Sequence, residues 1–166
     1  MRNIVAFPLL FLAVILQSSV ISEIRLLSGY ADLPLLLLAA WALQERVESA
    51  WHWGAFACLL IGFVSSMPWL VLTIGYLGVI FLARVLQRRV WHAPLLAMFS
   101  VVFLGTLFIH LLSFAVLRIL GTAFTINDVL SLITLPSLLL NMLFSIPIFT
   151  FMRDLSYWVY PAEEFA

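Results

Sequence analysis

Long apolar runs, separated by short polar segments, organise the whole chain. Runs of about 20 apolar residues are typical of membrane-spanning helices, whose ends are blurred by tilt. The pattern predicts six spans, at residues 3–21, 32–43, 51–66, 68–83, 93–120 and 134–152. The second run is short for a crossing, so we expect residues 44–47 to extend its helix. The third and fourth runs meet at a turn signal before Pro68 and predict either two full crossings or a re-entrant hairpin.

The last span differs from a plain apolar helix because it contains two prolines and an amide. Residues 134–153 read TLPSLLLNMLFSIPIFTFMR. Each proline removes a backbone hydrogen bond, and lipid offers no replacement. On a helical wheel, Pro136 and Pro147 fall opposite a stripe of polar residues about 80° wide. The members of the stripe are Thr134, Ser137, Asn141 and Ser145. Polar residues in such a stripe form hydrogen bonds between membrane helices, and the second helix belongs either to this bundle or to a partner.

Two other spans carry packing patterns. In the third, small residues recur at every fourth position: Gly54, Cys58, Gly62 and Ser66. This spacing lets two helix backbones approach closely, and the second helix belongs either to this chain or to another protein. In the fifth, one face carries Thr106, His110 and Ser113. His110 lies at membrane depth, so it is either a neutral, hydrogen-bonded packing residue or a group used in proton transfer, transport or catalysis.

Arginine positions predict the orientation, because cytoplasmic loops carry the excess of basic residues. With the N-terminus inside, six arginines fall in cytoplasmic segments and two, Arg25 and Arg118, in outer loops. The cluster of Arg84, Arg88 and Arg89 is expected in a cytoplasmic loop, as a topology anchor or a site for anionic lipid or a partner. We expect both termini in the cytoplasm. All six tryptophans fall near span ends, which predicts an aromatic belt at the lipid interface: Trp41, Trp51, Trp53, Trp69, Trp91 and Trp158.

Composition supports an all-α integral membrane protein with six transmembrane helices in one bundle, as a single domain over residues 1–166. Hydrophobic residues make up 65% and charged residues 10% of the chain, against about 25% charged in soluble domains. The net charge is zero, and no basic stripe suits nucleic acid. The first run resembles a signal peptide but lacks an A-x-A cleavage signal, so we interpret it as a retained span.

The sequence lacks motifs for catalysis or metal binding. It contains no H-E-x-x-H, G-x-S-x-G or P-loop, and Cys58, as a single cysteine, cannot form an internal disulfide. The acids fall in loops or at span ends; Glu45 and Glu48 predict a solvated cluster on a helix end. We therefore expect no enzyme, no cofactor and no metal. Before the last span, Thr125 and Asp128 resemble a capping box, which predicts a helix that starts near Ile126 and either continues into the span or breaks at Pro136.

The last span also carries a family resemblance. The pattern P-S-L-L-L-N-x5-P, followed by an aromatic-rich stretch and Arg153, resembles the MreD family of rod shape-determining proteins. Weaker likenesses run in the same order: Gln17-Ser18 closes the first span, Asp32-Leu33 opens the second, and Ile74-Gly75-Tyr76-Leu77 lies in the fourth. The chain departs from the family after the third span, where many members carry an acid and this sequence reads G-F-V-S-S.

The resemblance implies a multi-pass protein of the bacterial inner membrane, in the cell-elongation complex that synthesises peptidoglycan. Members of the family are non-catalytic scaffolds that work with MreC, a RodA-type glycosyltransferase, a class B penicillin-binding protein and the MreB cytoskeleton. Their fold is similar to that of the substrate-binding subunits of energy-coupling-factor transporters. The alternative is such a vitamin-binding subunit, although its A-x-x-x-A motif is absent from the first span, where Ala6 and Ala13 stand seven apart.

Overall fold

The computed structural model describes residues 5–19, 23–24, 26–89, 93–123 and 125–161. Within these ranges the protein is all-helical, with one isolated β-bridge between Leu26 and Gly29. The expectations for Arg25, for Trp91 and for both ends of the first span lie outside the described residues. The helices are α1 (Ala6–Ser19), α2 (Leu33–Ala42), α3 (Ala50–Val64), α4 (Trp69–Arg89), α5 (Pro94–Ile119), α6 (Ile126–Asp128) and α7 (Leu135–Val159), with a π-helical turn (Val129–Thr134) between the last two.

Three of the described helical segments are long and apolar enough to cross a membrane: Trp69–Arg89, Pro94–Ile119 and Ile126–Val159. The helices α1, α2 and α3 have 14, 10 and 15 residues. At 1.5 Å per residue they extend about 15–22 Å, less than the roughly 30 Å of a hydrocarbon core. Helix length alone therefore supports three crossings.

The short helix α2 lies at the centre of the molecule. Every residue from position 34 to 42 is buried, and α2 packs against α1, α3, α4, α5 and α7. A helix that is apolar on all sides belongs in the interior, and the Leu, Ala and Trp sequence of α2 fits this rule. The helix ends at Ala42, so the expectation that residues 44–47 extend it is wrong. Because protein surrounds α2, its backbone needs no helical extension through lipid.

Two tryptophans contradict the predicted aromatic belt. Trp41 and Trp53 are 0% and 1% exposed, and their rings stack with centroids 4.3 Å apart. The turn from α2 to α3 brings them together inside the bundle, where neither indole nitrogen has a hydrogen-bond partner among the described residues. Trp51, Trp69 and Trp158 remain 44–73% exposed near helix ends, as a belt requires. Position near a span end therefore did not separate core tryptophans from interfacial ones.

Small residues set the close packing of α3, α4 and α5. A Cβ on Gly54 would collide with Ile80 of α4, and one on Gly62 would lie 2.8 Å from the Trp69 ring. Between them, the Cys58 thiol points at the Leu72 carbonyl, 3.8 Å away. The stripe on α3 thus packs against the next helix of this chain. Ser66, its fourth predicted member, is exposed in the turn that follows the helix.

The helix α4 continues past the predicted span end at residue 83 to Arg89. Arg84, Arg88 and Arg89 therefore lie on its last two turns, and the expectation of a basic loop is wrong. The Arg84 guanidinium donates hydrogen bonds to the Val47 carbonyl and, at 3.2 Å, to Gln87 Oε1. Long apolar stems let arginines stay helical beyond the hydrocarbon while their charges remain in polar surroundings.

Glu45 and Glu48 lie in the α2–α3 turn rather than on a helix end. This turn, the last turns of α4 and the end of α7 meet at one end of the bundle, which we call the arginine end. Arg46 contributes here by donating to the Tyr160 carbonyl at 3.1 Å. The turn of residues 26–32 lies at the opposite end, which we call the loop end.

The predicted helix start near Ile126 is confirmed. Thr125 Oγ1 accepts a hydrogen bond from the Asp128 backbone N–H at 3.2 Å and donates to the Asp128 carboxylate at 2.5 Å. The helix then continues through the π-helical turn into α7 without breaking at Pro136. The whole segment, 34 residues long, measures about 50 Å and is longer than a hydrocarbon core.

Candidate functional site

In the connection between α1 and α2, residues 26–29 form a tight turn. Leu26 and Gly29 exchange two backbone hydrogen bonds, of 3.0 and 2.9 Å. Leu27, between them, has a φ of 55°, which is uncommon for a residue other than glycine. Its side chain is 69% exposed. We call residues 26–32 the anchored loop, because α7 and its π-helical turn hold it in place.

Pro136 creates the first attachment point. In a regular helix the N–H of residue 136 would bond the carbonyl of Leu132, but proline has no N–H. The backbone N–H of Ser28 donates to that carbonyl instead, at 3.1 Å. The π-helical turn ends at Thr134, two residues before the proline, and the Leu135 N–H bonds back to the Leu130 carbonyl. The proline thus frees a carbonyl that the anchored loop uses.

Ser137 and Gly29 make the second attachment. A Cβ on Gly29 would lie 2.6 Å from the Ser137 backbone nitrogen and 2.7 Å from the Ile133 carbonyl oxygen. Only glycine allows so close an approach. The next residue, Tyr30, donates its backbone N–H to Ser137 Oγ at 3.1 Å. The loop backbone therefore lies directly on the surface of the last helix.

Asn141 makes the third attachment and extends it inward. Its Oδ1 accepts from the Asp32 backbone N–H at 2.7 Å, and its Nδ2 donates to Thr106 Oγ1 of α5 at 2.9 Å. The Asn141 side chain is buried, where an unpaired amide would be costly. One amide thus joins α7, α5 and the start of α2.

Asp32 connects this cluster to α4. Its carboxylate caps α2 by accepting from the Leu35 backbone N–H at 2.9 Å. It also accepts from the Tyr76 hydroxyl, which lies 2.9 and 3.2 Å from its two oxygens. The sequence singled out Asp32 only as the start of the second span and through the family likeness. Its position before a Leu-Pro helix start was the available signal for a cap.

Gln17, at the end of α1, holds the loop from the other side. Its Nε2 donates to the Ala31 carbonyl and its Oε1 accepts from the Leu33 backbone N–H, both at 2.9 Å. The side chain thereby satisfies a donor and an acceptor of the chain where it enters α2. The sequence singled out Gln17 only through the family likeness.

His110 of α5 pairs with Thr134, the last residue of the π-helical turn. Its Nδ1 lies 3.0 Å from Thr134 Oγ1, and its ring is half-buried. This geometry fits a hydrogen-bonded packing histidine. Ser113, on the same face of α5, is half-buried and is not a member of the set. We call the eight side chains at the loop end the polar network: Gln17, Asp32, Tyr76, Thr106, His110, Thr134, Ser137 and Asn141.

The predicted stripe on α7 is therefore divided between two kinds of contact. Thr134, Ser137 and Asn141 bond to other elements of this chain, whereas buried Ser145 donates to the Met142 carbonyl of its own helix at 2.6 Å. The prolines also differ, because Pro136 is buried and Pro147 is exposed. The opposite face of α7 presents exposed apolar side chains, 50–67% accessible: Leu135, Leu139, Leu143 and Ile146.

The polar network is built to position backbone. Its amides and hydroxyls bind one another and the main chain of the anchored loop. In apolar surroundings, polar groups that are all paired in this way specify one arrangement of the segments they join. Across the described ranges, no group of three or more His, Cys, Asp or Glu could hold a metal ion. No protein-family model, curated protein or solved structure matches this chain.

Proposed function

We propose that this protein is a non-catalytic, multi-pass scaffold subunit of the bacterial inner membrane, acting in the cell-elongation complex that synthesises peptidoglycan. In this role it crosses the membrane six times, with both termini in the cytoplasm. It binds an MreC-like single-span protein at the loop end. Through that partner it is linked to a RodA-type glycosyltransferase, a class B penicillin-binding protein and the MreB cytoskeleton.

The observation that carries this proposal is where the residues of the family likeness fall. The four similar stretches are far apart in sequence, yet each contributes at least one side chain to the polar network. Gln17 comes from the first stretch, Asp32 from the second, Tyr76 from the third, and Ser137 and Asn141 from the last. Chance similarity among leucine-rich helices would not bring these side chains to one loop, where Tyr76 binds the Asp32 carboxylate and the other three bind backbone groups of residues 30–33.

The anchored loop offers a surface for the partner. Ile24, Leu26 and Leu27 are 45–69% exposed around its tip. Apolar side chains that cluster outside a core mark interaction sites, and backbone strain such as that at Leu27 collects at functional positions. Five residues outside the anchored loop hold it through hydrogen bonds: Gln17, Tyr76, Leu132, Ser137 and Asn141. A loop that is already fixed loses little entropy when a partner binds.

Co-purification tests the proposal. The tagged protein is co-expressed with the MreC-like protein of the same bacterium and isolated in mild detergent. We expect the partner to be retained, and the double variant Leu26→Ser, Leu27→Ser to retain about tenfold less, as for loss of an apolar hot spot. Ile119→Ser is the matched control, since Ile119 is 85% exposed near the same end of the bundle and outside the loop.

Recovery of this chain alone, under conditions that preserve other membrane complexes, would contradict the scaffold role. Native mass spectrometry of the same preparation covers the alternative. A stoichiometric vitamin in the spectrum would instead identify a substrate-binding subunit of a transporter.

A further inference from the structure

At the arginine end, an open groove of about 630 Å³ lies between the α2–α3 turn and the last turns of α4. One wall is the face of α4 that carries Phe81, Arg84 and Arg88. These residues are spaced three and four apart, so they form one stripe along the helix. The facing wall carries the carboxylates of Glu45 and Glu48 and the indole of Trp51.

The groove contains two negative and two positive side chains; Glu48 acts electrostatically on Arg84, but no Glu–Arg pair of the groove lies within 4.0 Å. Among the described residues, the one ion pair within 4.0 Å joins Arg153 and Asp154, away from the groove. Glu45, Glu48 and Arg88 are exposed. The groove therefore presents separate sites for a cation and an anion, with no net charge.

Arg84, in the α4 wall of the groove, is held in position by two hydrogen bonds. Its guanidinium donates to the Val47 carbonyl and to Gln87 Oε1, and the side chain is half-buried. A guanidinium has five N–H donors, so these two bonds leave others for a ligand. The planar fork of arginine matches phosphate, as it does carboxylate, through two parallel hydrogen bonds.

The apolar parts of the groove indicate a lipid. Phe81 is 62% exposed and Trp51 44%, and Phe81 lies one turn further from the end of α4 than Arg84. The helix α4 is long and apolar enough to cross a membrane; in a crossing helix its terminal arginines would lie at head-group level and Phe81 among acyl chains. Tryptophan at such a boundary is typical of the interface.

We propose that this groove binds the head group of a zwitterionic phospholipid, phosphatidylethanolamine. Arg84 and Arg88 bind the phosphate, Glu45 and Glu48 accept hydrogen bonds from the primary ammonium, and Phe81 contacts an acyl chain. Phosphatidylglycerol has the phosphate but no cation for the carboxylates. Phosphatidylcholine has a cation without N–H donors. The site depends only on α4 crossing the membrane and is independent of the scaffold role.

Lipid retention in native mass spectrometry tests the site. The protein is purified in detergent, mixed with equal amounts of the three phospholipids, and the bound fraction of each is measured. We expect phosphatidylethanolamine to be retained about fivefold over either of the others, as for one or two charge-assisted contacts near a surface. Equal retention of the three would overturn the proposal and leave a charged protein segment as the occupant of the groove.

Variants test which charged side chains bind the phosphate and which bind the ammonium group of the lipid. Glu45→Gln with Glu48→Gln is expected to abolish the preference for phosphatidylethanolamine over phosphatidylglycerol, while Arg88→Gln lowers the retention of both. Arg153→Gln with Asp154→Asn, the exposed pair outside the groove, should change neither. Arg84 also supports the α2–α3 turn, so Arg84→Gln is interpreted only if its thermal unfolding matches that of the wild type. An unchanged preference in the double Glu variant would contradict the assignment even if every variant folds.

Discussion

The loop end of this bundle pairs its polar side chains within the chain, whereas the arginine end pairs only some of them, such as Arg84 and Arg46, which bind backbone carbonyls. At the loop end, Asn141, Ser137 and Gln17 are bonded to backbone that would otherwise lack partners. At the arginine end, Glu45, Glu48 and Arg88 are exposed and have no ion pair within 4.0 Å. Polar groups in apolar surroundings are costly unless paired. The loop end is therefore specified by its own chain, whereas the arginine end is open to a ligand.

Gly29→Ala is expected to have the largest effect on stability. The added Cβ would meet backbone atoms of α7 at 2.6 and 2.7 Å, and backbone cannot give way as a flexible side chain can. We expect a loss of about 3 kcal/mol in the free energy of unfolding, typical of severe overpacking, measured by denaturant titration in detergent micelles. Ser28→Ala is the control, because its side chain is exposed and only its backbone N–H is used. Equal stability of the two variants would mean that the loop does not lie on α7.

Asn141→Leu is expected to cost less stability, about 2 kcal/mol, because it leaves one buried and one half-buried partner unpaired. Those partners are the Asp32 N–H and the Thr106 hydroxyl. A double-mutant cycle with Thr106→Val should give a coupling energy of about 1 kcal/mol.

Denaturant titration of Arg153→Gln sharpens the contrast between the two ends. Its pair with Asp154 is exposed, so its removal should change stability by less than about 0.5 kcal/mol. Comparable losses of unfolding free energy in Asn141→Leu and Arg153→Gln would contradict the distinction between a loop end with paired side chains and an open arginine end.

Pro136→Ala is expected to have a small effect on global stability and a clear local effect on the anchored loop. It supplies an N–H that competes with the Ser28 N–H for the Leu132 carbonyl. We expect stability to change by less than about 1 kcal/mol but amide hydrogen exchange in residues 26–30 to accelerate about tenfold. Pro147→Ala is the matched control, since Pro147 is exposed and distant from the loop. Unchanged exchange in the loop would show that the freed carbonyl does not hold it.

The hydrophobic pattern was sufficient where a helix buries one face in the bundle and leaves the other exposed. Predicted span 93–120 became the helix Pro94–Ile119, and the predicted start at residue 68 became Trp69. These segments bury one face and expose the other, so composition and length define them. The cap at Thr125 was likewise predictable, because it depends on neighbours in sequence.

The same pattern was insufficient for α2. A run of Leu, Ala and Trp has the same composition whether lipid or protein surrounds it. Only packing revealed that α2 is central and short, and that Trp41 stacks on Trp53 instead of facing the interface. The role of Asp32 was hidden for the same reason, since its partner Tyr76 lies 44 residues away.

By itself, the sequence determined that this protein is helical and apolar, with segments long enough to cross a membrane, and it identified Pro136, Ser137 and Asn141 as the unusual features of the last helix. The tertiary structure decided what those features do. A missing N–H, a hydroxyl and an amide acquire meaning only when another segment supplies the complementary donors, and here that segment lies more than 100 positions earlier. Local pattern records which groups need partners, but only the fold determines which partners they have.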